Sequence, residues 1–230
     1  TVDGRPDIEL HHLAKVMAFV PQDDTLFGEL TIRENLYYSA SLRLPRSTTT
    51  AQRSKLVAGV LEVLGLEHIQ CAVVGSVEQR GISGGQRKRV NIGLELVADP
   101  SVLFLDEPTS GLAASGTLRV IRALKSMAYI RRTVVAVIHQ PRYEVFTLFH
   151  EVVLLGKSGR VVYSGDTQQV LSYFERIGFG LPKHENPADY FLDVIMGFVP
   201  RAGDPSFTTA LLPGLWLEHQ GSVREVQLST

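Results

Sequence analysis

The sequence lacks the features typical of secreted, membrane-spanning or nucleic-acid-binding proteins. Cys71 is the single cysteine, so no internal disulfide can form. No run approaches the roughly 18 apolar residues that a membrane-spanning helix needs. The first residues also lack the charged-then-apolar pattern of a signal peptide. A net charge of −1 argues against a broad surface for nucleic acid or anionic membranes. If the chain serves a membrane, we expect the spanning part to lie elsewhere.

Length and composition predict one domain, or one domain with a lobe inserted in it. The chain has 230 residues, of which 44% are hydrophobic and 20% charged, so a sizeable core can be buried. Residues 1–6 contain no initiator Met and resemble the end of a strand that enters a turn. We therefore expect the chain to begin inside a domain.

Two helical patterns interrupt the first part of the chain. An apolar run at residues 16–20 predicts a buried strand. Thr31 and Glu34 then form a capping-box pattern, which predicts the start of a helix. A second apolar stripe, which ends at Leu64, predicts another helix. Residues 30–80 are therefore predicted to form a helical subdomain.

After residue 80 the pattern alternates between strands and helices, which indicates an α/β core made of residues 1–29 and 81–200. Strands are predicted at residues 102–105, 133–138, 152–155 and 160–163. The last two are predicted to form a hairpin. Helices are predicted around residues 118–124 and 167–177. Beyond Pro200 the periodicity fades, so residues 201–230 are predicted to be a linker.

A glycine-rich segment at residues 82–86 (ISGGQ) runs into a helical pattern. Glycines let the backbone approach an anion closely, and the hydroxyl of Ser83 adds a donor. The amides and positive dipole end of the helix would point at that anion. An ordinary capped helix after a glycine turn would also explain these residue types. The combination with the next motif favours an anion-binding role.

That next motif is an apolar strand that ends in two carboxylates, Asp106 and Glu107. Open α/β sheets build their sites at the carboxyl ends of strands. Neighbouring side chains on a strand point in opposite directions. Asp106 can therefore serve a magnesium ion while Glu107 orients the attacking water. Alone, the pattern also fits a solvated acidic turn.

Two further polar residues follow apolar strands. His139 ends the strand after Glu107, where it could contact a phosphate or hold the attacking water. Gln22 follows the first strand, where its amide could reach magnesium and water. In isolation, a structural histidine and an ordinary loop glutamine would be reasonable interpretations.

Taken together, these motifs resemble the nucleotide-binding domain of ABC transporters, and specifically the G subfamily of the white and pleiotropic-drug-resistance type. The similar segments are residues 19–24 (FVPQDD), 30–36 (LTIRENL), 74–96 (VGSVEQRGISGGQRKRVNIGLEL), 105–112 (LDEPTSGL), 137–146 (VIHQPRYEVF), 159–179 and 184–195. The resemblance covers roughly residues 1–200.

The resemblance implies an α/β P-loop NTPase (RecA-like) core with an inserted ABC α-helical subdomain, and with its N-terminal part missing. ATP and Mg²⁺ are the implied cofactors. A second cassette, in a homo- or heterodimer, and a transmembrane domain are the implied partners, with no nucleic acid. The helical subdomain would contact the transmembrane partner, and residues 201–230 would lead toward it. The cassette would lie on the cytoplasmic face of a membrane and couple ATP hydrolysis to export of hydrophobic or lipid-like substrates.

The resemblance also assigns roles to individual residues. The implied catalytic residues are Glu107, His139 and Gln22, and the implied metal ligands are Asp106 and Gln22. The residues implied to contact the nucleotide of the partner cassette are Ser83, Gly84, Gly85 and Gln86.

The sequence departs from the family in lacking the phosphate-binding loop GxxxxGK[ST]. Gly156, Lys157 and Ser158 supply the last three letters, but Glu151 stands where the first glycine is required. The context is a predicted hairpin tip, so we exclude this segment. We expect the loop to lie upstream of residue 1. The 230 residues alone are expected to be inactive and not to bind ATP normally; micromolar MgATP binding by calorimetry would contradict this.

A second departure is Ala113, where the family usually has Asp. That carboxylate helps to join the two cassettes, so we expect weaker communication between the two ATP sites or an asymmetric partner.

A third feature is the basic run at residues 87–89. We interpret it as a solvated face or a phosphate-side contact and not as a nucleic-acid site.

Two alternatives stay open. A soluble ABC ATPase would show paired cassettes or long coiled coils, whereas this chain has one signature and a short insertion. A non-hydrolysing remnant would explain the absent loop and Ala113. The retention of Asp106 and Glu107 argues against it.

Overall fold

The computed structural model describes residues 16–76, 81–129, 132–204 and 206–228, with side chains described as far as residue 221. Its contacts divide the chain into two compact units, Thr1–His139 and Gln140–Thr230. We call these the first unit and the second unit. The expectation that residues 1–6 end a strand lies outside the described residues.

A three-stranded parallel sheet forms the centre of the first unit. Its order is β1 (Met17–Val20), β2 (Val102–Asp106) and β3 (Thr133–Val137). Phe19 pairs with Phe104, and Phe104 pairs with Val135. The three predicted strands are confirmed. Because the strands are parallel, their carboxyl ends meet at one edge of the sheet, which is where such folds build their sites.

Four α-helices and a short 3₁₀ helix (Glu67–Ile69) complete the described part of the first unit, and the α-helices are α1 (Ile32–Arg43), α2 (Thr50–Leu64), α3 (Gly84–Leu96) and α4 (Ala114–Tyr129). The capping box predicted at Thr31 is confirmed, since the Glu34 amide donates to Thr31 Oγ1 (3.2 Å) and the Thr31 amide donates to Glu34 Oε2 (2.8 Å). Gly65 ends α2 with a left-handed φ of 61°. The buried stripe of α2 is Val57, Val60, Leu61 and Leu64.

The chain leaves the sheet region and returns to it at one place. The Val74 amide donates to the Leu30 carbonyl (3.0 Å), and the Gly75 amide donates to the Gly28 carbonyl (2.9 Å). A Cβ on Gly28 would lie 2.7 Å from the Gly75 oxygen, so this close approach requires glycine. Helices α1 and α2 lie between these points. This arrangement is typical of an inserted lobe; the role of residues 30–80 as a separate subdomain stays a prediction.

The second unit begins with the short helix α5 (Tyr143–Phe146) and the predicted hairpin, β4 (Glu151–Leu155) and β5 (Val161–Asp166). Gly156, Lys157 and Ser158 lie at the hairpin tip, as predicted, and Lys157 Nζ donates to the Met196 carbonyl (2.8 Å). Lys157 lies in the turn of the hairpin, and its ammonium donates to a backbone carbonyl. We therefore continue to exclude this segment as a phosphate-binding loop.

Three more helices pack on an aromatic core: α6 (Val170–Arg176), α7 (Pro187–Met196) and α8 (Leu212–Leu228). Phe174 and Phe191 stack with ring centroids 4.5 Å apart. Trp216 lies 5.0 Å from the Tyr163 ring and 5.3 Å from the Tyr173 ring. Aromatic contacts of this kind add stability beyond the area that they bury.

Helix α8 was not predicted, because Pro213 and Gly214 interrupt the periodicity. Pro213 lies in the first turn of the helix, where its missing N–H and fixed φ are tolerated. Leu212 and Trp216 anchor the helix on the aromatic core. The structure therefore has a helix at residues 212–228, where the periodicity had indicated none. Their role as a linker stays a prediction. None of the described helices is long and apolar enough to cross a membrane.

Candidate functional site

Three of the predicted site residues converge where the strands of the first unit end. Gln22 Nε2 donates to Glu107 Oε2 (3.2 Å), and His139 Nε2 lies 3.0 Å from Glu107 Oε1. The Glu107 carboxylate thus lies between an amide and an imidazole. It is partly shielded, with 23% of its side chain exposed, whereas the His139 side chain is 75% exposed. The cluster can polarise a water at the carboxylate while the imidazole stays open to an incoming group.

The backbone at this cluster is strained. Glu107 has a φ of 43° and Gln140, directly after His139, has a φ of 44°. A non-glycine residue in the left-handed region costs on the order of 1–3 kcal/mol. The Glu107 amide donates to the Val137 carbonyl (3.0 Å), which fixes the turn to β3. Strain of this kind is often found at functional sites, and here it occurs at the two strand ends that carry Glu107 and His139.

Asp106 occupies the last position of β2, beside Val137 of β3. It is partly exposed, whereas Leu105 before it is buried, as the alternation along a strand requires. Among the described residues, no group of three or more His, Cys, Asp or Glu side chains could hold a metal ion. Magnesium is usually held by one or two protein oxygens together with substrate phosphates and water. The Asp106 carboxylate and the Gln22 amide oxygen therefore fit such an ion.

Ser83 begins helix α3 as its N-cap. The Gln86 amide donates to Ser83 Oγ (3.4 Å), and the Ser83 amide donates to Gln86 Oε1 (2.7 Å). Ser83 and Gln86 therefore cap the helix, as an ordinary helix start after a glycine turn would require. This capping does not use Gly84 and Gly85, whose amides lie in the first turn, where a helix offers no acceptor.

The glycines of α3 differ in what packing demands. A Cβ on Gly93 would lie 2.8 Å from Leu36 Cδ2, so packing against α1 requires glycine there. A Cβ on Gly84 or Gly85 would meet its nearest neighbour at 3.7 or 3.6 Å, an ordinary contact. Packing in the described part of the chain does not require these two glycines. Close approach of a ligand to the backbone is a physical reason for them.

A cavity of about 290 Å³ lies beside this helix start. It is lined by Ser83–Gln86, by residues of the α4 start including Ala113, and by Arg89 and Arg119. Burial, and then the nearby charge of Arg119, lower the pKa of Arg89. Ala113 is the N-cap of α4, since its carbonyl accepts from the Thr117 amide (3.0 Å), and its side chain cannot cap. Among the described residues, the lining of the cavity includes two arginines and no carboxylate, a composition that suits an anion.

The structure therefore brings the predicted site residues together in two groups. Gln22, Glu107 and His139 form the group at the sheet edge, next to Asp106. Residues 83–86 form the other group, and their cavity is lined by none of the residues of the first group.

Sequence analysis missed one lysine next to the first group. Lys88 is only 5% exposed; its Nζ donates to the Gln22 carbonyl (2.6 Å) and lies 3.0 Å from Asp24 Oδ1. Arg89, which is 8% exposed, donates to the Leu64 carbonyl at the end of α2 (2.7 Å). For both residues the solvated-face alternative is therefore wrong, while the alternative of a phosphate-side contact stays a prediction. Their partners are distant in sequence, so spacing alone could not reveal them.

Comparisons with known proteins show the family of the chain. A family model described as "ABC transporter" matches residues 2–110, and one described as "ABC-2 type transporter" matches residues 139–228. The chain is 44% identical over 220 residues to "ABC transporter G family member 28" of Arabidopsis thaliana, covering 96% of this chain and 20% of that protein. It is 48% identical over 179 residues to "Broad substrate specificity ATP-binding cassette transporter ABCG2" of Bos taurus, covering 78% of this chain and 27% of that protein.

A solved structure is also similar. It is that of cbiO1 from Clostridium perfringens, described as part of the ABC transporter complex cbiONQ. The TM-score is 0.58 at 27% identity, covering 73% of this chain and 64% of that one. The α/β core with P-loop NTPase topology expected from sequence is thereby confirmed. The chain spans only about a fifth to a quarter of the length of the two curated relatives named above.

Proposed function

Because this chain belongs to the ABC transporter family, in its G group, we propose that it is the ATP-hydrolysing cassette of a membrane transporter. One observation carries the proposal: the Glu107 carboxylate lies between Gln22 and His139 at the carboxyl edge of the sheet. The chain covers only a small part of its relatives, so the activity is that of the complete protein.

Each residue of the cluster has a distinct task in this proposal. Glu107 orients the attacking water and accepts the proton that this water loses as its oxygen bonds to the γ-phosphate. His139, exposed beside it, contacts the γ-phosphate and holds the water in line. Asp106 and the Gln22 amide oxygen hold Mg²⁺, which when bound neutralises charge on the phosphates of ATP. The hydrogen bond from Gln22 to Glu107 keeps the amide that would face the metal close to the base.

The second group of residues serves a different nucleotide. Ser83, Gly84, Gly85 and Gln86 contact the ATP bound by a second cassette, which is a copy of this chain or a related one. Support comes from the glycines that packing does not require and from the cationic cavity beside them. Two cassettes would close on two nucleotides and open after hydrolysis, which couples the ATP sites to a transmembrane domain.

Transport follows from this coupling. The cassette faces the cytoplasm, and the helical lobe between residues 30 and 80 contacts the transmembrane domain. The substrates are hydrophobic or lipid-like molecules that the complete protein exports. The support is family membership, since no helix in the described part of the chain is long and apolar enough to span a membrane.

The experiment is Glu107→Gln in the complete transporter. We expect phosphate release to fall by about 10²- to 10⁴-fold, the usual contribution of a catalytic base, while MgATP binding persists. Glu175→Gln, an exposed change on α6 of the second unit, is the control and should be neutral. A complete protein whose ATP hydrolysis is equally low with and without the change would favour a non-hydrolysing remnant.

A further inference from the structure

The loop that carries Gln22 is held by a buried charge on another helix. Lys88 belongs to α3, the helix that begins with Ser83. Its ammonium is almost inaccessible to water and has two partners, the Gln22 carbonyl at 2.6 Å and Asp24 Oδ1 at 3.0 Å. A buried ammonium is costly unless it is paired and hydrogen-bonded. This geometry therefore favours a loop that stays in place under Lys88.

Two asparagines extend this clamp along the same loop. Asn91, one turn after Lys88, accepts hydrogen bonds at its Oδ1 from the Thr25 amide and hydroxyl, both at 3.2 Å. Asn35 of α1 accepts from the Phe27 amide and donates to the Phe27 carbonyl, both at 3.0 Å. The backbone from Gln22 to Phe27 is thus fixed at successive points, mostly by residues of α3.

Gln22 is held at both ends. Its carbonyl accepts from Lys88, and its side-chain amide donates to Glu107 Oε2 at 3.2 Å. Rotation of the Gln22 peptide would break the bond to Lys88 and would swing the amide away from the carboxylate. The orientation of the side chain therefore depends on the lysine, although Lys88 itself does not touch Glu107.

We propose that Lys88 is a positioning residue for hydrolysis: it locks the Gln22–Asp24 turn onto α3 so that the Gln22 amide stays against the Glu107 carboxylate. This proposal rests on the proposed ATPase function and deepens it. It also connects the Gln22 loop rigidly to the start of α3, so a displacement of one would displace the other.

The test is Lys88→Met in the complete transporter. We expect kcat for ATP hydrolysis to fall about ten- to hundredfold, because small misplacements of catalytic groups cost rates of this size. KM for ATP should change little. Lys88→Arg, which keeps the charge and donors, should restore part of the loss. Lys183→Met, at an exposed position of the second unit that has no part in the proposed site, is the matched control.

A double-mutant cycle with Gln22→Ala separates positioning from general damage. If Lys88 acts through Gln22, Lys88→Met should lower kcat little further once Gln22 is truncated. Independent, multiplicative losses would overturn the proposal, as would a Lys88→Met protein with normal kcat. If that protein cannot be recovered folded, Asp24→Asn, which weakens the ion pair but keeps the ammonium, takes its place in the cycle under the same two criteria.

Glu107→Gln measured in parallel tells the two proposals apart. If it abolishes hydrolysis and Lys88→Met does not lower kcat, only the positioning role fails. If Glu107→Gln leaves hydrolysis intact, the proposed function fails, and the role of Lys88 fails with it.

Discussion

In the first unit the described core is aliphatic and includes buried polar and charged side chains, whereas in the second unit it is largely aromatic. The buried polar residues of the first unit are Asn35, Lys88, Arg89 and Asn91, and the second unit has Thr167. The buried aromatic residues, all in the second unit, are Phe146, Tyr163, Tyr173, Phe174, Phe179, Tyr190, Phe191 and Trp216.

This difference separates two uses of burial. Buried polar groups must find partners, and the partners of Lys88, Asn91 and Asn35 are backbone and side-chain atoms of one loop. Directional bonds of this kind set the position of a loop. Aromatic rings mainly contribute area and close packing, which set stability. Burial in the first unit therefore fixes the position of a loop, whereas burial in the second unit mainly contributes stability.

Phe191→Ala is the change from which we expect the largest effect on this contrast between the two units. Phe191 is fully buried, stacks on Phe174 at 4.5 Å and lies 6.2 Å from Phe146. We expect a loss of about 3–5 kcal/mol in the free energy of unfolding of the second unit. Urea unfolding followed by Trp216 fluorescence measures it. Phe198→Ala, at a ring that is 73% exposed, should cost little; equal losses from both would contradict the importance of the aromatic core.

A change at the α4 start tests placement in the first unit. In the complete protein, Ala113→Asp should raise ATPase activity or its cooperativity, by about fivefold if the gain is at the low end of typical coupling energies. Asp would also cap α4, because Ala113 is the N-cap. Ala113→Asn caps equally well without the charge, so it isolates the carboxylate. Identical kinetics for all three proteins would count against a role in coupling.

The cap of α1 offers a smaller test. Thr31→Ala removes the hydroxyl that accepts from the Glu34 amide and should cost about 0.5–1 kcal/mol in unfolding free energy. Thr31→Ser keeps the hydroxyl and should recover most of that loss. Chemical unfolding of both variants measures the difference. A full loss in the Ser variant would show that the methyl group, and not the cap, matters.

The smallest expected effect is a pH dependence in the second unit. Burial, and then the charge of Arg176, lower the pKa of His219 from its ordinary value near 6.5. The unfolded chain therefore takes up the proton first, and stability falls as the pH drops through that value. The His219→Gln protein should lose less melting temperature between about pH 7.5 and about pH 5.5. His68→Gln, at an exposed site, should behave like the parent.

Sequence patterns predicted the parts of the fold that depend on local order. The strands end in polar residues at the right places, and the capping boxes at Thr31 and Ser83 are local interactions. Gln22, Glu107 and His139 were each predicted to follow an apolar strand, and in the structure they lie together where the parallel strands end. Their roles in catalysis stay predictions.

What sequence did not predict depends on contacts between distant residues. Helix α8 is held by Leu212 and Trp216 on a core made elsewhere in the chain, while its own start contains Pro213. The sequence around Lys88 does not distinguish it from a surface lysine, because its partners Gln22 and Asp24 come from a distant part of the chain. In both cases tertiary packing overrides the local signal.

The meeting of Gly28 with Gly75 has a practical consequence for protein engineering. Because Leu30 and Val74 are hydrogen-bonded where the helical lobe begins and ends, the sheet does not depend on the length of what lies between them. The connection from Leu44 to Thr49 is mostly exposed, and doubling such a surface loop costs only about 0.6 kcal/mol. A peptide epitope or fluorophore inserted there would report on the lobe while leaving the strand ends undisturbed.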